Sequence, residues 1–309
     1  MTHQITIVMY HYVRPIKSSS WPEIKGLELE GFRRQLDYLL ANFKVITAED
    51  VIHAVKFGKT LPKNSCWLTF DDGYKDHFSY VLPELIKRKV QGSFFPPVKP
   101  ITERLMLDVN SIHHILASTK DISLLVSDLN NLIREHGYSE SDLKDFWTEY
   151  AVASRYDTKD VIYVKRLLQH ALPEVTRYEI TSSLFEKYVN LSQEDFAEEL
   201  YMSEVEVKKL VNSGMYVGSH GYRHLWLNRE DKDSQRVEIE RSLDFLKSVG
   251  ARTEDWIMCY PYGGYNNDTL EILGSAKCSV GLTTKVGKAD ISVHNSLEFP
   301  RFDTNDFPQ

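Results

Sequence analysis

The alternation of predicted strands and helices constrains the fold of this 309-residue chain more than any other sequence feature. A β-branched and aromatic run over 5–13 predicts a strand, and apolar residues at helical spacing over 29–42 predict a helix. The same alternation returns late in the chain, where a strand over 216–220 precedes a helix over 229–248. Strands that alternate with helices favour a parallel barrel or a doubly wound sheet.

The middle of the chain lacks this alternation. Helical patterns recur at 124–134, 161–171 and 194–201, with few strand-like runs between them. We therefore predict three regions: the first part of an α/β domain over 1–100, a helical insertion over 101–210, and the second part of the domain over 211–309.

Composition and charge exclude several classes of protein. A content of 42% hydrophobic and 26% charged residues is typical of a folded globular chain. A net charge of -7 and a pI near 5.9 argue against nucleic acid as a partner, because proteins that bind the phosphate backbone of nucleic acids are usually basic. The three cysteines have no paired CxxC spacing, so we expect reduced thiols rather than a disulfide framework or a thiolate zinc site.

The amino-terminal residues do not resemble a targeting segment. Residues 1–11 lack a basic stretch followed by a long apolar run, and they are typical of a first strand. No run of about 18 apolar residues occurs, so we predict no membrane span. From these features we expect a cytoplasmic protein. No pattern in the sequence specifies an oligomeric state.

Two adjacent carboxylates end a predicted apolar strand. Asp71 and Asp72 follow the run 66–70 and precede Gly73. Loops at the carboxyl ends of parallel strands converge on one mouth, where chemistry is usually found. Neighbouring carboxylates repel each other unless a cation or a proton compensates them. A short motif of this kind also fits a polar turn in which an aspartate caps the next helix.

Two histidines four residues apart form a second motif. The spacing of His220 and His224 lets both imidazoles reach one divalent ion from the same side of a turn. The alternative is one core histidine and one surface histidine. Together with one of the two aspartates they would make a three-ligand site with an open position. The other aspartate could then take a proton from a water molecule that the metal activates, which predicts a metal-dependent hydrolase.

The order of three motifs resembles a known family. Thr-Phe-Asp-Asp-Gly over 69–73, His-x-x-x-His over 220–224 and Pro-Tyr-Gly over 261–263 resemble the polysaccharide deacetylases with NodB homology, carbohydrate esterase family four. The resemblance covers about 5–100 and 210–305. The helical region lies outside the resemblance and is predicted to be a large insertion that flanks the active-site mouth. The resemblance implies an irregular, partly open (β/α) barrel. It also implies a divalent metal ion, usually zinc, and removal of an N-acetyl group from an amino sugar or a glycan precursor.

The resemblance also assigns roles to individual residues. It makes Asp71 the catalytic base and Asp72, His220 and His224 the metal ligands. The third motif, the turn over 260–263, would bind substrate through Tyr262, whose backbone N–H would stabilise the oxyanion. The alternative is a proline-glycine turn with an aromatic residue packed under it.

Several positions depart from the family pattern or extend it. Cys259 stands where the family has an arginine that orients the catalytic carboxylate, and we predict that Arg301 replaces it, although a surface salt bridge is an equal alternative. Gly221 stands where the family has a serine or threonine, which predicts weaker metal affinity. Tyr74, directly after the Asp-Asp-Gly motif, is predicted to bind substrate with Tyr262.

The histidine that would protonate the leaving amine is not marked by a motif. The family's late Leu-x-His triplet is absent, and His294 occurs in that region instead. His11, at the end of the first strand, would face the same mouth as the aspartates. We predict His11 as the catalytic candidate, and a core or loop histidine is the alternative.

The insertion is too long for an ordinary connection and is predicted to narrow access to the mouth. Its aromatic residues are possible stacking surfaces for a sugar, or simply the core of a helical subdomain. These residues are Trp147, Tyr150, Tyr156 and Tyr163.

Two other functions fit the same motifs. One is hydrolysis of another small amide, such as a formyl or cyclic amide, because the same metal and base would serve any small carbonyl. The other is a non-catalytic carbohydrate-binding relative, suggested by Cys259. The intact Asp71 favours an enzyme, because a binding protein needs no second carboxylate beside the metal.

Overall fold

The chain folds into two compact units. The computed structural model describes residues 1–154 and 157–309. The first unit, here the barrel unit, comprises 1–15, 26–104 and 200–309. The second, the helical unit, comprises 16–25 and 105–199. The helical unit therefore includes a short amino-terminal segment that lies within the first predicted region.

The bounds of the regular elements are as follows. The strands are β1 Gln4–Tyr10, β2 Val13–Arg14, β3 Leu27–Glu28, β4 Lys44–Val45, β5 Ser65–Asp71, β6 Ser93–Phe95, β7 Tyr216–Val217, β8 Trp256–Cys259, β9 Cys278–Leu282, β10 Ala289–Asp290 and β11 Phe302–Asp303. The helices are α1 Leu29–Asn42, α2 Ala48–Phe57, α3 Leu82–Arg88, α4 Val98–Glu103, α5 Asp108–Ser118, α6 Ile122–Glu135, α7 Glu140–Tyr150, α8 Lys159–Arg166, α9 Glu174–Val189, α10 Gln193–Leu200, α11 Glu204–Asn212, α12 Lys232–Ser248 and α13 Asn267–Ser275.

The strands of the barrel unit run mostly parallel around a common core. β5 lies between β1 and β6, and β6 pairs with β7, all in parallel register. Beyond β7 the ladder continues only as a single bridge from Ser219 to Met258 of β8. β9 likewise contacts the segment before β11 through one bridge, from Leu282 to Phe299. β11 then pairs with β1. Two seams made of single bridges give an irregular, partly open barrel, which confirms the predicted fold class.

The central strand β5 is buried along its whole length. A parallel strand covered on both faces needs such a continuous apolar run, broken here only by small polar residues and the final aspartate. Its carboxyl end carries Asp71, and the carboxyl end of β1 leads into His11 at the same edge. The barrel therefore brings residues from distant parts of the chain to one mouth.

The opposite edge of the barrel carries the late histidine. β10 pairs with β1 at Gln4 and Asp290, six residues before Tyr10 along β1. Six strand residues span about 20 Å. His294 is exposed beside β10, where its Nδ1 accepts a hydrogen bond from the amide of Asp290. It therefore lies away from the mouth.

The helical unit has its own core. Tyr163 is fully buried, donates its hydroxyl to Asn130 and packs against the half-buried Trp147. Trp21, from the short amino-terminal segment, contacts Phe196 edge to face. Tyr163 thus belongs to the core of the helical unit, and Tyr156 lies outside the described residues.

Two further observations concern the chain as a whole. Cys66, Cys259 and Cys278 are all free thiols. Among the helices in the described residues, none is both long and apolar enough to cross a bilayer.

Candidate metal centre and active site

The turn after β5 places two neighbouring carboxylates in different surroundings. Asp72 has a left-handed backbone with φ 71°, and Gly73 follows with φ 67°. A Cβ at Gly73 would lie 2.8 Å from the Cβ of Pro96, so only glycine fits this position. Asp71 and Asp72 are both almost fully buried.

The loop after β7 carries the two histidines. Nδ1 of His220 donates to the carbonyl oxygen of Cys259 at 2.7 Å. The lone pair of Nε2 is therefore available to a metal ion. His224 has a left-handed backbone with φ 62°, and this turn brings its ring beside that of His220. Both imidazoles are buried.

Asp72, His220 and His224 form a close triangle of donor atoms. Oδ1 of Asp72 lies 3.3 Å from Nε2 of each histidine. The two Nε2 atoms are 3.2 Å apart. Tetrahedral zinc with bonds of about 2.0–2.1 Å holds its ligand atoms about 3.3 Å from one another. The donor types and their spacing therefore fit a zinc-like divalent ion.

Asp71 lies beside this triangle and is held by Arg301. The guanidinium donates from Nη1 to Oδ1 at 3.0 Å and from Nη2 to Oδ2 at 2.8 Å. Arg301 is itself 1% exposed and also donates to the carbonyl of Thr283. Burial alone would raise the pKa of Asp71, but Arg301, and after it His220, hold that pKa below its usual range. Asp71 is therefore an anion at neutral pH. Arg301 directly precedes β11.

His11 is the accessible histidine at the mouth. Its side chain is 40% exposed, and its Nε2 lies 4.0 Å from Oδ2 of Asp71. The backbone of His11 is held by the buried His77, because Nε2 of His77 donates to the carbonyl oxygen of His11 at 2.9 Å. His11 can thus meet a ligand bound at the mouth.

Tyr74 lies beneath the centre instead of lining the mouth. The residue is fully buried, and its hydroxyl donates to Oδ2 of Asp72 at 2.7 Å. Its ring stacks on Tyr12 with centroids 4.1 Å apart. The sequence predicts that Tyr74 binds substrate, but a fully buried ring has no surface for a ligand, and its hydroxyl instead holds the carboxylate of Asp72.

Tyr262 stands on the third strand-end turn, next to the histidines. Its backbone is left-handed, with φ 57° and ψ 7°. Its half-buried ring lies edge to face with His224 at 4.6 Å and stacks flat on Trp226 at 4.5 Å and 5°. An aromatic wall of Tyr262 and Trp226 therefore adjoins the metal ligands.

A second group of donors shares His220. One donor atom each from Asp71, His220 and Cys259 lies within 4.8 Å of the others. Asp71 is already bound by Arg301, and burial raises the pKa of the Cys259 thiol. A protonated thiol is a poor ligand, so the Asp72 triangle is the better metal centre.

Comparison with known proteins agrees with this geometry. Residues 58–281, more than two thirds of the chain, match the family model described as polysaccharide deacetylase. The chain belongs to the polysaccharide deacetylase family. His11 and Arg301 lie outside the matched residues, and the fold alone brings them to the centre that the family motifs define.

The proteins that this chain resembles are distant in sequence. YxkH of Bacillus subtilis (strain 168), named as a candidate polysaccharide deacetylase, is 25% identical over 121 residues, which cover 39% of this chain and 41% of YxkH. The deacetylase PplD of Streptococcus pyogenes has a similar fold, with a TM-score of 0.59, 18% identity, and coverage of 97% of this chain and 92% of PplD. IcaB of Ammonifex degensii has a TM-score of 0.56, 18% identity, and coverage of 96% and 90%.

Sequence reasoning missed three residues around this deacetylase centre. Trp226, Glu238 and His77 contact the predicted site residues or their loops. Glu238 had a visible signal, because it falls on the apolar face of α12, one position before the buried Ile239. A charged residue on the buried face of a helix calls for a partner.

Proposed function

We propose that this protein is a zinc-dependent hydrolase that removes the N-acetyl group of an amino sugar or a glycan precursor. The single observation that supports this proposal is the triangle of Asp72, His220 and His224 with the Asp71 carboxylate beside it. That combination serves hydrolysis of an amide, since it offers three ligands and a separate base.

The proposed ligands are Asp72, His220 and His224, and the donor distances fit zinc. When bound, the ion would make a water molecule more acidic and polarise the scissile carbonyl. Asp71 would take the proton from the attacking water, and Arg301 keeps this carboxylate ionised and oriented for that role.

Three other residues around the centre would complete the reaction. The backbone N–H of Tyr262 would stabilise the negative charge that develops on the carbonyl oxygen. His11 would protonate the leaving amine, because it is accessible and lies 4.0 Å from the proposed base. Tyr74 would hold Oδ2 of Asp72, so that Oδ1 faces the ion.

The family and one similar structure support acetyl as the acyl group and a sugar as the substrate. PplD of Streptococcus pyogenes is described in complex with acetate, the product that the proposed reaction releases. The flat pair of Tyr262 and Trp226 offers an apolar surface on which a sugar ring can stack. We further propose that the helical unit contributes to the choice of sugar. The predicted cytoplasmic location stays a prediction, and it would make the substrate a cytoplasmic precursor.

Acetate release tests this function directly. The purified chain, loaded with zinc, should release acetate from at least one member of a panel of N-acetylated amino sugars and oligosaccharides. Asp71→Asn should lower kcat at least about 100-fold, because general base catalysis typically contributes that much. The variant should still bind one zinc ion, since Asp71 lies outside the donor triangle.

The outcomes separate this function from its alternatives. Release of formate, or opening of a cyclic amide, with no acetate would replace the proposed substrate class. Zinc binding without turnover on any panel member, with Asp71→Asn equal to the wild type in sugar binding, would indicate a carbohydrate-binding relative.

A further inference from the structure

One carboxylate outside the proposed mechanism is buried in the barrel unit beside the histidine loop. Glu238, on α12, is 1% exposed. Burial of a carboxylate is costly unless hydrogen bonds compensate the charge. Its partners therefore indicate what the residue does.

All the partners of Glu238 lie in the loop between the two histidines. Oε2 accepts the backbone N–H of Tyr222 at 3.1 Å and that of Arg223 at 2.7 Å. Oε1 accepts Nε of Arg223 at 2.6 Å. One carboxylate thus binds two consecutive amides directly between His220 and His224. Hydrogen bonds from amides to a carboxylate are stronger than those between neutral groups.

The carboxylate of Glu238 lies next to Gly221, the loop position where the family has a residue with a hydroxyl group. Gly221 has φ 73°, and a Cβ built there would lie 3.6 Å from Oε2 of Glu238. The glycine carries no hydroxyl that could hold the loop. The carboxylate of Glu238 lies beside this glycine and accepts hydrogen bonds from the loop amides, so the loop is held by a residue outside it.

A second contact from the same face of α12 supports the loop. The hydroxyl of Ser242, one helical turn after Glu238, lies 2.7 Å from that of Ser219. Oγ of Ser219 in turn accepts the N–H of Gly221 at 3.1 Å. The loop is therefore bound to α12 directly at the amides of 222 and 223, and indirectly, through the hydroxyl of Ser219, at the amide of 221.

We propose that Glu238 is a positioning residue that sets metal affinity by fixing the backbone between His220 and His224. This inference rests on the proposed metal centre. The carboxylate contacts neither ligand ring, so its effect passes through the loop conformation. Residues that orient metal ligands typically change metal affinity 10- to 100-fold when they are replaced.

Zinc affinity, measured by competition with a chromogenic chelator, tests this inference without any substrate. Glu238→Gln should raise the zinc Kd about 10- to 100-fold. Glu240→Gln is the matched control, because Glu240 lies two residues along the same helix and is exposed. The control should bind zinc within about twofold of the wild type, the usual range for a surface change.

Two further readouts distinguish positioning from a general loss of structure. The amide proton resonances of Tyr222 and Arg223 should shift upfield in Glu238→Gln, because the acceptor loses its charge. The kcat of this variant on an acetylated substrate should recover to within a few-fold of the wild type once zinc is saturating. A structural defect would lower kcat at every zinc concentration.

Each result decides the inference. Wild-type zinc affinity in a folded Glu238→Gln protein overturns the role of Glu238 and leaves the proposed function intact. A wild-type chain that binds no divalent ion overturns both. If Glu238→Gln does not fold, Glu238→Asp must show the same weakened affinity, since the shorter carboxylate cannot reach both amides.

Discussion

At the scale of single residues, the neighbouring aspartates show how backbone conformation separates two identical side chains. Asp71 ends β5 and faces Arg301, while Asp72 enters a left-handed turn and faces two imidazoles and Tyr74. The turn lets one carboxylate join the donor triangle and keeps the other beside it. Two carboxylates with different partners can take different roles at one pH.

The pair of Asp71 and Arg301 gives a prediction for stability and activity. Arg301→Met should lower the free energy of unfolding by about 3–5 kcal/mol, because it leaves a buried carboxylate without its partner. Arg301→Lys keeps the charge but not the two parallel hydrogen bonds, so it should be more stable than Arg301→Met and still lose activity. Urea unfolding and acetate release measure the two effects. Wild-type stability in Arg301→Met would contradict the buried pairing.

The residues of this centre differ in how far the sequence reveals them. Asp71, Asp72, His220 and His224 fall in short motifs at strand ends, where loops must meet, so their proximity could be expected. Glu238 lies on a helix 14 residues beyond the second histidine, and only the tertiary packing brings it to the loop. Periodicity shows that Glu238 lies on the buried face of its helix, but it does not reveal which residues the carboxylate contacts.

At the scale of elements, helices and strands with a continuous apolar pattern were predictable and the shortest ones were not. α1 has the predicted bounds, 29–42. β7 is only two residues long, although the sequence favours a strand over 216–220, because the residues after Val217 form the loop that carries the two histidines. Tertiary hydrogen bonds override β propensity there.

The π-helical turn over His77–Val81 gives a prediction about pH. His77 is fully buried among the rings of Phe70, Tyr74 and Phe94, and burial lowers its pKa from 6.5 to about 4. Between these values the unfolded chain binds a proton that the folded chain excludes, so stability is present at neutral pH and falls as pH decreases from 6.5 towards 4. The loss should reach about 3 kcal/mol over this window.

Urea unfolding of the metal-free protein at pH 7 and pH 5 measures this effect without a contribution from metal release. His77→Phe keeps an aromatic ring and removes the titrating group, so its unfolding free energy should depend less on pH than that of the wild type. Parallel pH dependences in the two proteins would show that His77 does not control acid stability.

At the scale of the whole molecule, the helical unit is built from two separate parts of the chain. The segment 16–25 contributes Trp21, which packs edge to face against His114 and Phe196. Sequence patterns predicted a helical region here, with helices at 124–134, 161–171 and 194–201, but they did not predict that 16–25 belongs to it. Ten residues without regular periodicity carry no sign of the unit that they join. Its membership follows from tertiary contacts, which include this aromatic cluster and the ion pair of Lys25 with Asp157.

A substitution in the segment tests this division. Trp21→Ala should lower the stability of the helical unit by about 2–3 kcal/mol, through lost apolar contact and lost edge-to-face pairs. Ser20→Ala is the control, since Ser20 is exposed beside it. Hydrogen exchange measured by mass spectrometry should show faster exchange in α5 and α10 of Trp21→Ala. Unchanged exchange in both helices would assign the segment elsewhere.

The divided helical unit also sets an order of events during synthesis. Trp21 leaves the ribosome 175 residues before Phe196, the partner against which it packs. At translation rates of about 5–20 residues per second, roughly 10–35 s pass between the synthesis of Trp21 and that of Phe196. During that interval the nascent amino-terminal segment presents an uncovered aromatic side chain, which is a binding feature for a chaperone at the exit tunnel.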